Sequence, residues 1–150
     1  MTRPARTIVL GLIALLALAP GALAVRPPGG TNYVGKTSQG ATINLRVSAA
    51  GGLVMTYRER FRCKGIRDQT FRATYRKDRP TVAADGSYEY RKRYSGVRSR
   101  GLPSPFSNTQ RLSGRFSADA SRVSGRSFAR VFGKGFACRS SITYTARRRP

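Results

Sequence analysis

The sequence predicts an all-β fold: one small antiparallel domain of seven or eight strands, arranged as a β-sandwich or in a jelly-roll-like way. Three observations carry this expectation. Apolar and polar residues alternate with period two along most of the chain beyond residue 40. The alternating runs are short and separated by turn signals such as Ala49-Ala50-Gly51-Gly52 and Asp85-Gly86. Beyond the N-terminal segment no run has helical periodicity, so helix content should be near zero.

Taken in order, the chain opens with Arg3 and Arg6, an unbroken apolar run from Ile8 to Leu18, and the small-residue triplet Ala22-Leu23-Ala24. Charge, short apolar core and A-x-A site are the pattern of a cleavable signal peptide for the general secretory route. Residues 1–24 are therefore expected to be removed between Ala24 and Val25, giving a secreted product. The apolar run falls short of the roughly 20 residues that span a bilayer, so no transmembrane segment is expected in the mature chain. Residues 25–31, with Arg26-Pro27-Pro28-Gly29-Gly30, cannot build a helix or a central strand and are expected to be a Pro/Gly linker to a β domain over 32–147.

Within that domain, Thr42 to Ser48 places Ile43, Leu45 and Val47 on one face. Leu53 to Cys63 is the clearest half-buried strand. Leu53, Met55, Tyr57, Phe61 and Cys63 face one way, and Thr56, Arg58, Arg60 and Arg62 the other. Gln69 to Arg76 repeats the scheme with Phe71, Ala73 and Tyr75 inward and Arg72 and Arg76 outward. After Asp85-Gly86 comes Ser87 to Tyr94, with Tyr88, Tyr90 and Tyr94 on one face. Ser95 to Asn108, rich in Gly, Pro, Ser and Arg, is expected to be a long exposed loop. Thr109 to Ser117 and Val123 to Phe132 follow, joined by Ala118 to Arg122. A last strand over Ser140 to Arg147 offers Ile142, Tyr144 and Ala146 to the core, and residues 148–150 are expected to be a frayed basic tail.

Two cysteines, Cys63 and Cys138, in an exported chain are best read as one disulfide. Closing so long a loop would stabilise the domain by about 4 to 5 kcal/mol in the chain-entropy model. Glu59 and Lys92 each interrupt the apolar face of a strand, which is costly for an isolated charge. The alternatives are a Glu59–Lys92 contact or a bulge that turns either residue outward.

Tyr33-Val34-Gly35-Lys36-Thr37-Ser38-Gln39-Gly40, Cys63, Asp85-Gly86-Ser87-Tyr88, and Cys138 with Tyr144-Thr145-Ala146-Arg147 stand in this order along the chain. In these pieces the sequence resembles a group of small secreted all-β proteins of actinobacteria. It departs from them in having Tyr144 where a tryptophan would stand. The resemblance implies export and a small β domain, and implies no activity.

Chemistry is constrained by what is missing. The chain has no histidine, which removes the usual proton shuttle, the Ser/His and Cys/His pairs and the commonest metal ligand. Gly125-Arg126-Ser127-Phe128-Ala129 misses the nucleophile-elbow pattern at its last position. The six carboxylates leave only a glycosidase-like pair as a formal possibility, and Asp78, Asp85 and Asp119 sit in turn contexts. Gly30 to Thr37 has the letters of a phosphate-binding P-loop, but a Pro/Gly segment precedes it and a strand follows, so no nucleotide is expected. No catalytic residue, metal or cofactor is expected, and the chain is not read as an enzyme.

What remains is charge: 29 basic residues against six acidic ones, a formal net charge of +23. Arg58, Arg60 and Arg62 stand about 6.8 Å apart along one strand face, closer than the screening length of about 8 Å. Arg72, Arg76, Arg91 and Arg93 would extend this ladder if their strands are neighbours. Arginine forks suit phosphate, sulfate and carboxylate. The expected function is non-catalytic binding of an extracellular polyanion: an anionic cell-wall polymer, an acidic polysaccharide, an anionic lipid surface or extracellular nucleic acid. The alternative is a structural or inhibitory secreted protein with no such ligand. The Tyr88, Tyr90 and Tyr94 face is expected to pack in the core rather than stack on bases.

Overall fold

The structure is a computed structural model describing residues 25–76, 79–98, 101–103 and 105–150. The expected signal peptide, residues 1–24, lies outside the described residues, as does Asp78. Eight strands follow in order: β1 (Asn32–Thr37), β2 (Thr42–Val47), β3 (Leu53–Lys64), β4 (Gln69–Tyr75), β5 (Ser87–Val97), β6 (Phe106–Phe116), β7 (Arg122–Gly133) and β8 (Phe136–Arg148). No helix occurs among the described residues. The fold is therefore all-β, with every pairing antiparallel.

The strands form one continuous sheet in the order β4-β3-β2-β1-β8-β7-β6-β5, with β3 and β8 also paired. That second pairing comes from unequal strand lengths. The β1–β2 hairpin is short, so the long strands β3 and β8 continue past its tip and meet at Arg62↔Arg139, Cys63↔Cys138 and Lys64↔Ala137. β1, β2, β3 and β8 thereby close a small barrel-like ring. Cys63 and Cys138 face each other in this register and form the expected disulfide, so the covalent link lies where the ring closes.

Thr37-Ser38-Gln39-Gly40 plugs the place where β2 has ended and β8 has not yet reached β3. The Gln39 side chain acts like a missing strand segment: its carbonyl accepts from the Arg60 N–H (2.7 Å) and its amide donates to the Arg60 carbonyl (3.1 Å). Ser38 does the same for Thr143, through its own N–H and its hydroxyl. The P-loop letters of Gly30 to Thr37 fall largely on the extended strand β1, which a turn and β2 follow, and that is not the strand–loop–helix setting of a phosphate-binding loop. Gly35 is needed where β1 crosses β8, because a Cβ there would run into the Thr145 carbonyl.

The interior follows from alternation. Tyr33, Ile43, Leu45, Val47, Leu53, Met55, Tyr57, Leu112, Phe116, Val123, Ile142 and Tyr144 pack in one cluster. Phe61, Leu102, Phe106, Val131, Phe136 and Cys138 pack in a second. Phenol hydroxyls inside find partners: Tyr57 donates to Ser127 (2.8 Å), and Tyr88 and Tyr144 share a 2.6 Å bond. Tyr88 is fully interior, and Tyr90 and Tyr94 are half-buried and bonded to each other at 2.8 Å. β4 and β5 end the sheet, and between them the Tyr75 and Tyr90 rings meet edge-on at 5.4 Å.

Several expectations need correction. Ser95 to Asn108 is not one long loop: β5 runs to Val97 through an irregularity after Tyr94, and β6 begins at Phe106. Leu102 and Phe106 are apolar anchors in a stretch whose composition suggested only loop. β8 starts at Phe136, four residues before the alternation expected from Ser140. The tail is tied down, with Arg148 N–H on the Ser121 carbonyl and Arg149 N–H on the Asn32 carbonyl. The Pro/Gly segment is also docked, through Arg26 to Ala84 and Gly30 to Val47.

Glu59 and Lys92 do not form an ion pair; the one such pair among the described residues is Arg115–Asp85 at 3.0 Å. Nor does a bulge turn Glu59 outward, for it is 2% exposed inside β3. The Ser140 hydroxyl is its hydrogen-bond partner, while Oε1 has none among the described residues. Burial raises its carboxyl pKa to about 6, with the Ser140 bond opposing the shift.

Candidate functional site: an arginine-lined outer face

The outward side chains of β3 are those alternation assigns: Arg58, Arg60 and Arg62 are all exposed. So are Arg72 and Arg76 by β4, and Arg91 and Arg93 on β5. Register decides which of them meet. Arg58 sits directly opposite Arg72, and Arg60 opposite Thr70. Arg76 lies just past the end of β4. β4 and β5 are the two ends of the sheet order, so Arg72 and Arg76 do not form a ladder with Arg91 and Arg93 across hydrogen-bonded strands.

A different row forms instead. Arg62 on β3 pairs with Arg139 on β8, Arg139 with Arg130 on β7, Arg130 with Thr109 on β6, and Thr109 with Arg93 on β5. Four guanidinium-bearing positions thus cross five strands in one line, with neighbouring strands about 4.8 Å apart. A second row runs beside it: Arg91, Arg111, Phe128 and Ser141. Among the described residues, none of these arginines has a carboxylate within ion-pairing distance. Like charges at this spacing repel, and only counterions or a bound anion relieve that.

Two phenylalanines break the field of charge. Phe132 lies under two guanidiniums, Arg93 at 5.9 Å and Arg130 at 5.8 Å from the ring centroid, which holds both side chains flat against the sheet. Phe128, outward on β7 between Arg126 and Arg130 and opposite Arg111, is 40% exposed. It forms the ridge between two hollows. One, of about 420 Å³, includes Arg91, Arg111, Arg126 and Ser141 in its wall, together with the carboxylate of Glu89. The other, of about 540 Å³, includes Arg62, Lys64, Arg130 and Arg139.

Arg111, Arg126, Arg130, Arg139, Phe128 and Phe132 were not singled out from the sequence. The signal was present in the alternation of Arg126, Phe128, Arg130 and Phe132 along β7, yet its meaning depended on knowing that β7 lies between β6 and β8. Asp68, Asp85 and Asp119 serve nearby backbone groups, whereas Glu89 lies on the outer face beside Arg91. Asp85 accepts from the N–H and hydroxyl of Ser87, which lower its pKa. Asp119 likewise serves Ser117 and Ser121, and these bonds lower its pKa strongly. Asp68 accepts from the Cys63 N–H. Among the described residues, no three His, Cys, Asp or Glu residues gather to hold a metal, and no helix is long and apolar enough to cross a membrane. Comparison with family models, curated proteins and solved structures finds no match for this chain.

Proposed function

We propose that this chain is an exported, non-catalytic protein that binds polyanions through the outer face of β3, β8, β7, β6 and β5. The observation that carries the reading is the line Arg62, Arg139, Arg130, Arg93, placed by strand register and lacking carboxylate partners among the described residues. Arginine on a rigid sheet presents its donors with little ordering cost, and its planar fork matches phosphate, sulfate or carboxylate. Export is part of the proposal. It is supported by the charged, apolar and small-residue order of residues 1–24 and by a disulfide of the kind oxidising compartments retain.

Retention on heparin across a salt series tests it. Binding should fall steeply with salt, and Arg130→Ala with Arg139→Ala should flatten the dependence of log K on log salt, because fewer counterions are released. Elution at low salt, unchanged by the double substitution, would leave a structural or inhibitory protein without this ligand.

A further inference from the structure

We infer that the polymer this face takes is single-stranded nucleic acid, with phosphates on the arginine rows and an unpaired base stacked on Phe128. The inference rests on the polyanion reading above and narrows it.

A purely electrostatic surface for a sugar sulfate or a lipid headgroup needs only cations. Here an apolar ring stands 40% exposed at the centre of the charge, where Arg111 faces it across the sheet and Arg126 and Arg130 flank it on β7. Phe128 lies on the outer face and belongs to neither apolar cluster, so the core does not require it there. Single-strand binders need the combination present: a basic groove that tracks the backbone, interrupted by an aromatic side chain on which a base can lie.

The hollows on either side of Phe128 share it as a common wall, and each carries arginine. A strand passing over the ridge could place one phosphate near Arg111 and Arg126 and the next near Arg130 and Arg139, with the intervening base over the ring. Phe132 has a different task, because Arg93 and Arg130 already cover it; it orients the guanidiniums. Duplex nucleic acid fits less well, because its bases are stacked on one another and unavailable to Phe128. The tyrosines first considered for stacking are excluded by position: Tyr88 is interior, and Tyr90 and Tyr94 point to the same side of β5.

The test compares a labelled oligothymidylate with an abasic oligonucleotide of the same length and charge, by fluorescence anisotropy at several salt concentrations, with heparin and duplex DNA as competitors. The purified protein should bind the oligothymidylate about tenfold more tightly than the abasic strand. Phe128→Leu, which keeps an apolar side chain and so the fold, should erase that difference and leave the abasic affinity and the salt slope unchanged. Phe128→Trp should preserve or enlarge the difference. Equal binding of both strands with a steep salt dependence, insensitive to either substitution, would overturn the single-strand inference while the polyanion reading stands. If neither strand nor heparin is held above low salt, the polyanion reading falls, and this inference with it.

Discussion

The two faces of β3 obey opposite rules although they belong to the same twelve residues. Inward, Met55, Tyr57, Glu59 and Phe61 are close-packed, and every polar atom there needs a partner. Outward, Arg58, Arg60 and Arg62 are solvated and require nothing from the fold. The inner face is therefore where stability is set, and the outer face is where charge can accumulate without destabilising the domain beyond its own repulsion. Glu59 shows the rule by exception: it is a carboxylate on the packed side, and burial raises its pKa to about 6.

The comparison is broken most strongly at the ring closure. Reducing the Cys63–Cys138 bridge, or replacing both cysteines by serine, frees a loop of 75 residues and should lower unfolding free energy by about 4 kcal/mol. Urea titration measures this, and polyanion affinity of the still-folded fraction should not change. A loss of binding without a loss of stability would mean that the two faces are coupled.

Next in size is Glu59. Because its folded-state pKa is raised from 4.5 to about 6, the folded protein holds this proton more tightly than the unfolded chain. Stability from this group is highest below pH 4.5 and declines as pH rises through about 6, by about 2 kcal/mol in all. Asp85 and Asp119 shift downward from 3.8 and so act below this window with the opposite sign. Denaturation midpoints between pH 4 and 7.5 should show the decline in the wild type, and Glu59→Gln should flatten it. A wild-type midpoint as high at neutral pH as in acid would show that the buried carboxylate is not costly.

The smallest stability effect belongs outside. Arg62→Ala or Arg93→Ala should change unfolding free energy by no more than about 0.5 kcal/mol, while each lowers the salt slope of heparin binding. A larger stability change would place these arginines in packing rather than in recognition.

Much of this organisation was legible in the residues. Leu53 through Phe61 declared both faces of β3, and Asp85 and Asp119 declared their turns, because Asp side chains bond to the backbone two residues on. Glu59 was recognisable as misplaced, but its partner was not: Ser140 is 81 positions away and carries no sign of its role. The arginines of β3 and β5 were found by local density. Arg130 and Arg139 gain their meaning only from the register that sets β7 between β6 and β8 and β8 beside β3.

The amino-acid order alone gave the wet side of β2, β3, β4 and most of the later strands, since successive Cβ atoms point to opposite faces whatever the neighbours are. Two cysteines in a chain read as exported also made the Cys63–Cys138 bridge the expected pairing. Only the folded sheet decided which strands are adjacent, for that depends on a short β1–β2 hairpin leaving β3 and β8 to meet beyond it. Strand pairing is a non-local choice made by whole strand lengths and packed cores. The line from Arg62 to Arg93 and the ridge of Phe128 exist only after that choice.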